Sequence, residues 1–292
     1  MGKCLVTKLN GSTENDNLKY LDSVVIQFKP VDVQTARNSS IVIQSVIQNT
    51  PVKVECLKGN FTSSDFSTNS GISTDVTNSR IYVSNGAIIK LSKKQNIVKI
   101  SFDDGEGDDN NKIIDFSDLK YCKGLKYLLI SGDISGSVEL ANNNSLLYLS
   151  ITNSNIYATT EDISKVLSPE ATDLSLTKAT SVKGDISLLG DKIGLTKMYL
   201  TYTDISGSVE SLLENMWRNG RRSGKVTIST GHNLAFDGET HGDYGYTINV
   251  TFSDNSIVAS SDITKTFNGS TWVKSQQPSQ QSLTHTQKQR LT

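Results

Sequence analysis

The heptapeptide DISGSVE occurs twice in this chain of 292 residues, at positions 133–139 and again at positions 204–210. Each copy could mark a separate domain, or both could belong to a shorter unit that repeats several times between them. These two alternatives lead to different folds. The spacing of the apolar residues between the copies distinguishes them.

A six-residue pattern of the form Leu-x-x-Leu-x-Leu recurs along the middle of the chain, with other apolar residues in place of some leucines. Copies begin at positions 97, 125, 146, 171 and 195, and a degraded copy begins at 223, so successive copies lie 21–28 residues apart. That interval matches leucine-rich repeats, which place one short strand in each unit of about 20–29 residues. The two heptapeptides are therefore predicted to occupy equivalent places, three units apart.

The fourth position of each pattern carries an apolar residue that a strand would direct to one face. We expect Leu128, Leu149, Leu174 and Met198 to stack in one column, because a single unit cannot bury that face alone. A hydroxyl residue follows five of the patterns, and these residues are predicted to form a ladder: Ser131, Thr152, Thr177, Thr201 and Ser229. An ordinary β-sandwich is the alternative fold.

Two segments between the predicted strands carry signals for short helices. Thr159 and Asp162 have the spacing of a capping box, and so do Ser211 and Glu214. The second helix is predicted to end at Gly220 and to pack over the last regular unit.

The predicted fold class is β-rich α+β: a small N-terminal β domain, then an irregular leucine-rich-repeat-like solenoid with a short helix and a β-hairpin cap. The predicted domains are an anchoring or assembly domain at 1–90, the solenoid at 91–231, the hairpin cap at 232–273 and a disordered or docking tail at 274–292. Within the first domain, Asn85 and Gly86 predict a hairpin with a type I′ turn.

Composition and charge argue against several classes of protein. The net charge of −1 and the pI of about 6.3 disfavour a nucleic-acid-binding surface, which needs a basic excess. Three cysteines, Cys4, Cys56 and Cys122, do not resemble a disulfide framework and favour synthesis in a reducing compartment. No apolar stretch has the length of a secretory signal or a membrane span, so neither export nor a membrane partner is expected.

Few residues have the spacing of a chemical site. The acidic run at 103–109 does not fit an EF-hand loop; a solvated loop is the simpler interpretation, and calcium binding stays open. His232, His241 and His285 lack metal-ligand spacing. The sequence therefore predicts no metal site, no cofactor and no catalytic residue.

Two rows of side chains are predicted to face outward from the repeat strands. The first is Lys99, Tyr127, Tyr148, Asp173 and Lys197, and the second is Ser101, Leu129, Ser150, Ser175 and Tyr199. Only Asp173 is acidic, so no carboxylate pair for glycoside cleavage is present in these rows. The candidate interaction surface consists of Tyr127, Tyr148, Tyr199, Thr152, Thr177 and Thr201. Its tyrosines could stack on sugar rings, fill a protein interface or pack against each other along the row.

Two segments carry a resemblance to a known group of proteins. The opening MGKCLVTKLNGSTENDNLKYL and the segment LLENMWRNGRRSGKVTI at 212–228 resemble leucine-rich-repeat-like virion proteins of Bacteroides phages and prophages. The resemblance spans nearly the whole chain. It implies a structural or adhesive role in tail, baseplate or head fibres, without enzymatic activity, but it transfers no functional residue position by position.

The expected function is that of a non-enzymatic virion protein that presents a repeat surface to protein or to host glycan. The expected partners are other virion proteins and a host surface glycan or receptor, and a homo-oligomer is compatible with the sequence. The expected location is the virion, after synthesis in the host cytoplasm. The alternatives are a bacterial surface leucine-rich adhesin and a tailspike-like polysaccharide depolymerase.

Overall fold

In the computed structural model the chain forms two large mixed β-sheets and two short α-helices. The structure describes residues 22–29, 39–45, 52–59, 61–63, 73–76, 78–83, 86–103, 112–115, 117–137, 144–240 and 246–275. Over these residues the chain is mostly β-strand.

The strands are short, and in chain order they are β1 (Ser23–Lys29), β2 (Ser39–Ser45), β3 (Val52–Lys58), β4 (Phe61–Ser63), β5 (Ser73–Val76), β6 (Asn78–Val83), β7 (Ile88–Ser92), β8 (Ile97–Asp103), β9 (Lys112–Asp115), β10 (Tyr127–Ser131), β11 (Ile134–Ser137), β12 (Tyr148–Thr152), β13 (Asn155–Thr159), β14 (Asp173–Ser175), β15 (Val182–Asp185), β16 (Lys197–Tyr199), β17 (Asp204–Ser208), β18 (Lys225–Ser229), β19 (Leu234–Phe236), β20 (Glu239–Thr240), β21 (Thr247–Phe252), β22 (Ile257–Ser260), β23 (Thr264–Phe267) and β24 (Trp272–Lys274). The α-helices are α1 (Thr160–Val166) and α2 (Val209–Arg218). Single 3-10 turns occupy Lys94–Asn96, Ser117–Tyr121 and Ile186–Leu189.

The strands divide into two sheets. One sheet has 13 strands in the order β24-β23-β22-β21-β18-β16-β14-β12-β10-β8-β2-β6-β4, and the other has 11 strands in the order β20-β19-β17-β15-β13-β11-β9-β1-β7-β3-β5. Buried apolar residues of both sheets belong to one continuous core, to which N-terminal Val24 and Ile41 contribute together with C-terminal Ile248.

The middle of each sheet is parallel. From β8 to β19 the chain alternates between the two sheets, so that β8, β10, β12, β14, β16 and β18 become parallel neighbours in one sheet. Strands β9, β11, β13, β15, β17 and β19 do the same in the other sheet. The first heptapeptide contributes β11 and the second contributes β17, three strands further along the same sheet.

The predicted apolar column is observed in the 13-stranded sheet. Leu128 pairs with Leu149, Leu149 with Leu174, and Leu174 with Met198, each in register on adjacent parallel strands. All four side chains are fully buried. The alternation of side chains along a strand therefore fixes the inward face across four strands.

The predicted fold class is nevertheless wrong. Instead of a β domain followed by a leucine-rich-repeat-like solenoid, the structure has two open mixed sheets, and the N-terminal strands belong to them. β1 pairs antiparallel with β9, and β2 pairs antiparallel with β8. At the other end β21 to β24 continue the larger sheet by antiparallel pairing. The apolar spacing specifies which side chains face inward, but not which strands add to the edge of a sheet.

Two local predictions also differ from the structure. The described strands β6 and β7 do not form the hairpin predicted at Asn85 and Gly86, because β6 joins the 13-stranded sheet whereas β7 joins the 11-stranded one; Asn85 itself lies outside the described residues. Helix α2 begins at Val209, where Ser208 caps it by accepting a hydrogen bond from the Ser211 amide at 3.3 Å, so the predicted cap at Ser211 is three residues late. The capping box of Thr159 and Asp162 at α1 is confirmed.

The second heptapeptide turns directly from strand to helix, and Gly207 makes this geometry possible. Gly207 has a φ of 105°, and a Cβ atom there would lie 2.6 Å from the carboxylate oxygen Oδ1 of Asp185 on the neighbouring strand. Glycine avoids both the unfavourable φ and the steric clash. The turn places Glu210, the last residue of the heptapeptide, in the first turn of α2.

Glu210 belongs to an ion network that joins the two sheets at the C-terminal end. Lys265 of β23 lies 2.7 Å from the Glu210 carboxylate and 3.0 Å from that of Asp237, which follows β19. Lys274 of β24 lies 2.7 Å from Asp237. Glu210 also accepts hydrogen bonds from the Asp237 amide at 2.6 Å and the Ser208 hydroxyl at 2.9 Å. The network thus ties β23 and β24 to α2 and the end of β19.

The network shifts the pKa of Glu210, Asp237 and Lys265 toward the charged form of each group. Burial would raise the pKa of Glu210, but hydrogen bonds from Lys265, the backbone and Ser208 outweigh it and lower that pKa. Hydrogen bonds from Lys274 and Lys265 lower the pKa of Asp237. Burial would lower the pKa of Lys265, but its partners Glu210 and Asp237 outweigh burial and raise that pKa.

These shifts define the pH range in which the network stabilises the fold. The carboxylates contribute stability above their unfolded pKa of about 4 and lose it as the pH falls through their lowered folded values. Lys265 contributes fully below its unfolded pKa of about 10.4 and loses that contribution as the pH rises through its raised folded value.

We expect Leu149→Ala to reduce the free energy of unfolding by about 2–5 kcal/mol, because it leaves a cavity in the middle of the apolar column. Leu188→Ala is the matched control, since the Leu188 side chain is 49% exposed, and should change that free energy by less than about 0.5 kcal/mol. Urea unfolding followed by circular dichroism measures both. Equal losses in the two variants would contradict the assignment of the column.

We expect Lys265→Met to reduce the free energy of unfolding by about 2–4 kcal/mol at neutral pH, because two poorly exposed carboxylates lose a shared cation. The difference from the wild type should be smaller at about pH 3, below the unfolded pKa of the carboxylates, because their stabilisation is lost as the pH falls through their lowered folded values. Urea unfolding at both pH values measures this change, with exposed Lys225→Met as the control. A difference that does not depend on pH would exclude the network as its cause.

Candidate functional site

The outer face of the parallel part of the 13-stranded sheet carries three rows of side chains that run across the strands. The tyrosine row is Lys99, Tyr127, Tyr148, Asp173 and Lys197. The serine row is Ser101, Leu129, Ser150, Ser175, Tyr199 and Ser229. The threonine row begins with Asp103, Ser131 and Thr152 in strand register. Since successive residues of a strand point to opposite faces, these rows lie opposite the buried column.

Tyr127 and Tyr148 form an aromatic pair in the tyrosine row. They face each other in register on β10 and β12, and their ring centroids lie 6.5 Å apart with an interplanar angle of 38°. The Tyr127 side chain is 39% exposed, and Tyr148 is half-buried beside it. Two neighbouring phenol rings are therefore held on a sheet surface at a fixed separation.

Charged groups flank the aromatic pair on both sides. Lys99 lies opposite Tyr127 on β8, and Asp173 lies opposite Tyr148 on β14. The Asp173 carboxylate is 3.9 Å from the ammonium of Lys197, the next residue in the row. Neighbouring strands are about 4.8 Å apart, so the row presents one polar or aromatic group per strand spacing.

The threonine row continues beyond the strands through backbone hydrogen bonds at the turns. The Asn153 amide donates to the Thr177 carbonyl at 3.0 Å, and the Lys178 amide donates to the Thr201 carbonyl at 2.9 Å. Thr152, Thr177 and Thr201 are half-buried. They precede tight turns, in which Asn153, Lys178 and Tyr202 have φ between 50° and 58°.

The structure brings the six predicted surface residues onto one face but not into one cluster. Tyr199 lies in the serine row, two strands beyond Tyr148, so it is not part of the aromatic pair. Ser229 also leaves its predicted place: it pairs with Tyr199, because Met198 is in register with Ile228 and not with Val226. A shift of two residues keeps the inward face unchanged, which is why the apolar spacing did not reveal it.

The sequence analysis missed several cationic residues beside the tyrosine row. Lys94, Lys120 and Lys126 lie at the ends where β8 and β10 begin, together with the exposed ring of Tyr121. In the sequence these lysines are scattered over more than 30 positions. The signal available in the sequence was that these lysines precede two strands that become neighbours in the sheet.

The acidic groups of this face are few and dispersed. In the described part of the three rows, the carboxylates belong to Asp103 on β8 and Asp173 on β14. These two residues lie in different rows. No group of three or more histidine, cysteine, aspartate or glutamate side chains suited to a metal ion occurs in the described part of the chain. Most of the acidic run, residues 104–109, lies outside that part.

The described thiols are far from nucleophilic. Burial raises the pKa of the Cys122 thiol to about 12, and burial also raises that of Cys56. Both are therefore protonated at neutral pH.

No protein-family model matches the sequence, and no curated protein matches it. Among the helices that the structure describes, none combines the length and apolar character needed to cross a membrane.

Proposed function

We propose that this chain is a non-catalytic binding protein of a phage particle and that its tyrosine row binds polysaccharide on the bacterial surface. The observation that carries the proposal is the aromatic pair of Tyr127 and Tyr148, which is held in register on an exposed sheet face. Tyrosine combines a flat apolar ring with a polar hydroxyl, so it can both stack on a sugar ring and hydrogen-bond to it.

The spacing of the row supports an extended ligand that crosses the strands. Each strand adds one side chain to the row at intervals of about 4.8 Å, which is close to the length of one sugar unit in an extended chain. Lys99 and Asp173 stand on either side of the aromatic pair and can bond to sugar hydroxyls. A polysaccharide could therefore contact several strands at once.

The particle assignment is supported by the resemblance of the opening segment and of residues 212–228 to virion proteins. In the structure, residues 212–228 form most of α2, the turn after it and the first part of β18. The Arg221 guanidinium is buried there and donates to the carbonyls of Ile193, Leu195 and Lys225. This resembling segment thus has a structural role, and binding falls to the outer face.

Substitution of the aromatic pair tests the binding proposal. Tyr127→Ala and Tyr148→Ala should each weaken binding by about tenfold, because each removes one stacking ring. The matched control is Tyr157→Ala, whose ring is 47% exposed but belongs to the other sheet. Binding to an array of purified capsular polysaccharides from gut Bacteroides measures the effect. If the Tyr157 variant loses as much binding as the other two, the tyrosine row is not the site.

The non-catalytic and particle assignments have tests of their own. Incubation of the protein with the bound polysaccharide should leave its chain length unchanged in size-exclusion chromatography with light scattering. Mass spectrometry of purified particles should detect this chain among the structural proteins. Shortened polysaccharide would favour a depolymerase, and the absence of the chain from particles would refute the virion role.

A further inference from the structure

A group of lysines borders the tyrosine row where β8 and β10 begin. We call it the lysine rim, and it consists of Lys93, Lys94, Lys120, Lys123 and Lys126. The first two residues lie at the 3-10 turn before β8, and the other three lie within or after the 3-10 turn before β10. The rim is thus built from segments that precede two neighbouring strands of one sheet.

An exposed aromatic ring lies at the centre of the rim. The ammonium groups of Lys94 and Lys120 are 5.6 Å and 5.3 Å from the centroid of the Tyr121 ring, which is 37% exposed. Two cations from different segments therefore converge on the same ring, in the geometry of a cation–π contact. The ring holds the two like charges close together at the surface.

Lys126 links the rim to the tyrosine row along the chain. The Lys126 amide donates to the Val98 carbonyl at 2.8 Å, which aligns the start of β10 with β8. Tyr127 follows Lys126 directly and lies opposite Lys99. A ligand stacked on Tyr127 would consequently lie beside Lys99, and Lys126 stands one residue before that ring in the chain.

Several lysines of the rim and of the tyrosine row carry a charge that no described residue neutralises through an ion pair. Lys93, Lys99, Lys120 and Lys126 form no ion pair with any residue that the structure describes. Other lysines of the chain form ion pairs with carboxylates: Lys165 pairs with Glu161 at 2.8 Å, and Lys265 pairs with Glu210 at 2.7 Å.

The Asp118 carboxylate lies near the rim, as do the residues Asp22 and Asp115. It is half-buried and accepts a hydrogen bond from the Val25 amide at 3.1 Å. Burial raises its pKa, although Lys120 and Lys94 act in the opposite direction. The Asp118 carboxylate is thus bonded to the backbone of β1 and is not paired with Lys120 or Lys126.

We propose that the ligand of the tyrosine row is an anionic polysaccharide of the uronic-acid type. Its sugar rings stack on Tyr127 and Tyr148, and its carboxylates contact Lys99, Lys120 and Lys126. The inference rests on the proposed function and adds the charge of the ligand to it. Because the lysines are surface groups, each contact contributes modestly and is screened by salt.

Polysaccharide is favoured over nucleic acid by the charges on the rest of the face. Asp103 and Asp173 stand on the same sheet surface, and the whole chain has a net charge of −1. A nucleic acid carries a charge on every unit and binds to a broad basic surface. A local rim, on a face that also carries two carboxylates, is not such a surface.

The experiment compares polygalacturonate, alginate and hyaluronan before and after chemical reduction of their carboxyl groups to alcohols. At low salt at least one of the intact polymers should bind about tenfold more tightly than its reduced form. The triple variant Lys99→Gln, Lys120→Gln and Lys126→Gln should lose this preference. The control, Lys58→Gln, Lys183→Gln and Lys225→Gln, removes the same charge from other exposed positions and should keep it. Thermal unfolding of both triple variants checks that they remain folded.

Each other outcome has a definite meaning. If no intact polymer binds more tightly than its reduced form, or if the control variant loses the preference equally, the inference about ligand charge is wrong. If reduced polymers or neutral capsular polysaccharides still bind through Tyr127 and Tyr148, the proposed function survives that failure. If the tyrosine variants bind as the wild type does, the proposed function fails instead. Binding of a short DNA duplex as tight as that of the polymers would overturn the assignment to polysaccharide.

Discussion

The apolar interior between the two sheets is the constraint on which the rest of the structure depends. In the middle of the 13-stranded sheet, each strand is only three to seven residues long and contributes one to three buried apolar residues. Such a strand cannot bury its apolar face alone, so it becomes stable when its neighbours are in register and the opposite sheet covers it. Leu128, Leu149 and Leu174 satisfy this requirement in consecutive strands.

The same register fixes the outer face without any further information. Once Leu128 and Leu149 are paired inside, Tyr127 and Tyr148 must be paired outside, because side chains alternate along a strand. The outer residues contribute little to the core and are free to vary in chemistry. The position of the candidate site is therefore a consequence of core packing, whereas its aromatic and cationic character is a property of the exposed residues.

The ends of the sheets need other interactions, because the repeated pattern stops there. At the C-terminal end, Lys265 and Lys274 reach Glu210 and Asp237 and so connect the two sheets through charge. At the N-terminal end, antiparallel strands such as β1 and β2 cover the first parallel strands. At both ends, these interactions keep the outermost parallel strands from being exposed sheet edges.

The sequence was sufficient for the apolar column and insufficient for the fold class. The spacing of apolar residues correctly predicted that Leu128, Leu149, Leu174 and Met198 are neighbours, because that spacing reflects burial directly. It failed for the fold class, since segments such as β1 and β2 carry alternation but no signal for their partners. It also failed for Ser229 and for the turn near Gly86, where a shift of register or a change of sheet leaves the apolar pattern unchanged. The lysine rim was missed because its lysines lie in two turns that are distant in sequence and become neighbours only in the folded chain.

The most direct test of this account is NMR of the protein labelled at its tyrosine rings, titrated with a polysaccharide that it binds. The account predicts saturable shifts of the Tyr127 and Tyr148 ring signals at the same ligand concentration, with the Tyr157 signal unchanged. Shifts confined to Tyr157, or binding that leaves the signals of the paired rings unmoved, would contradict it.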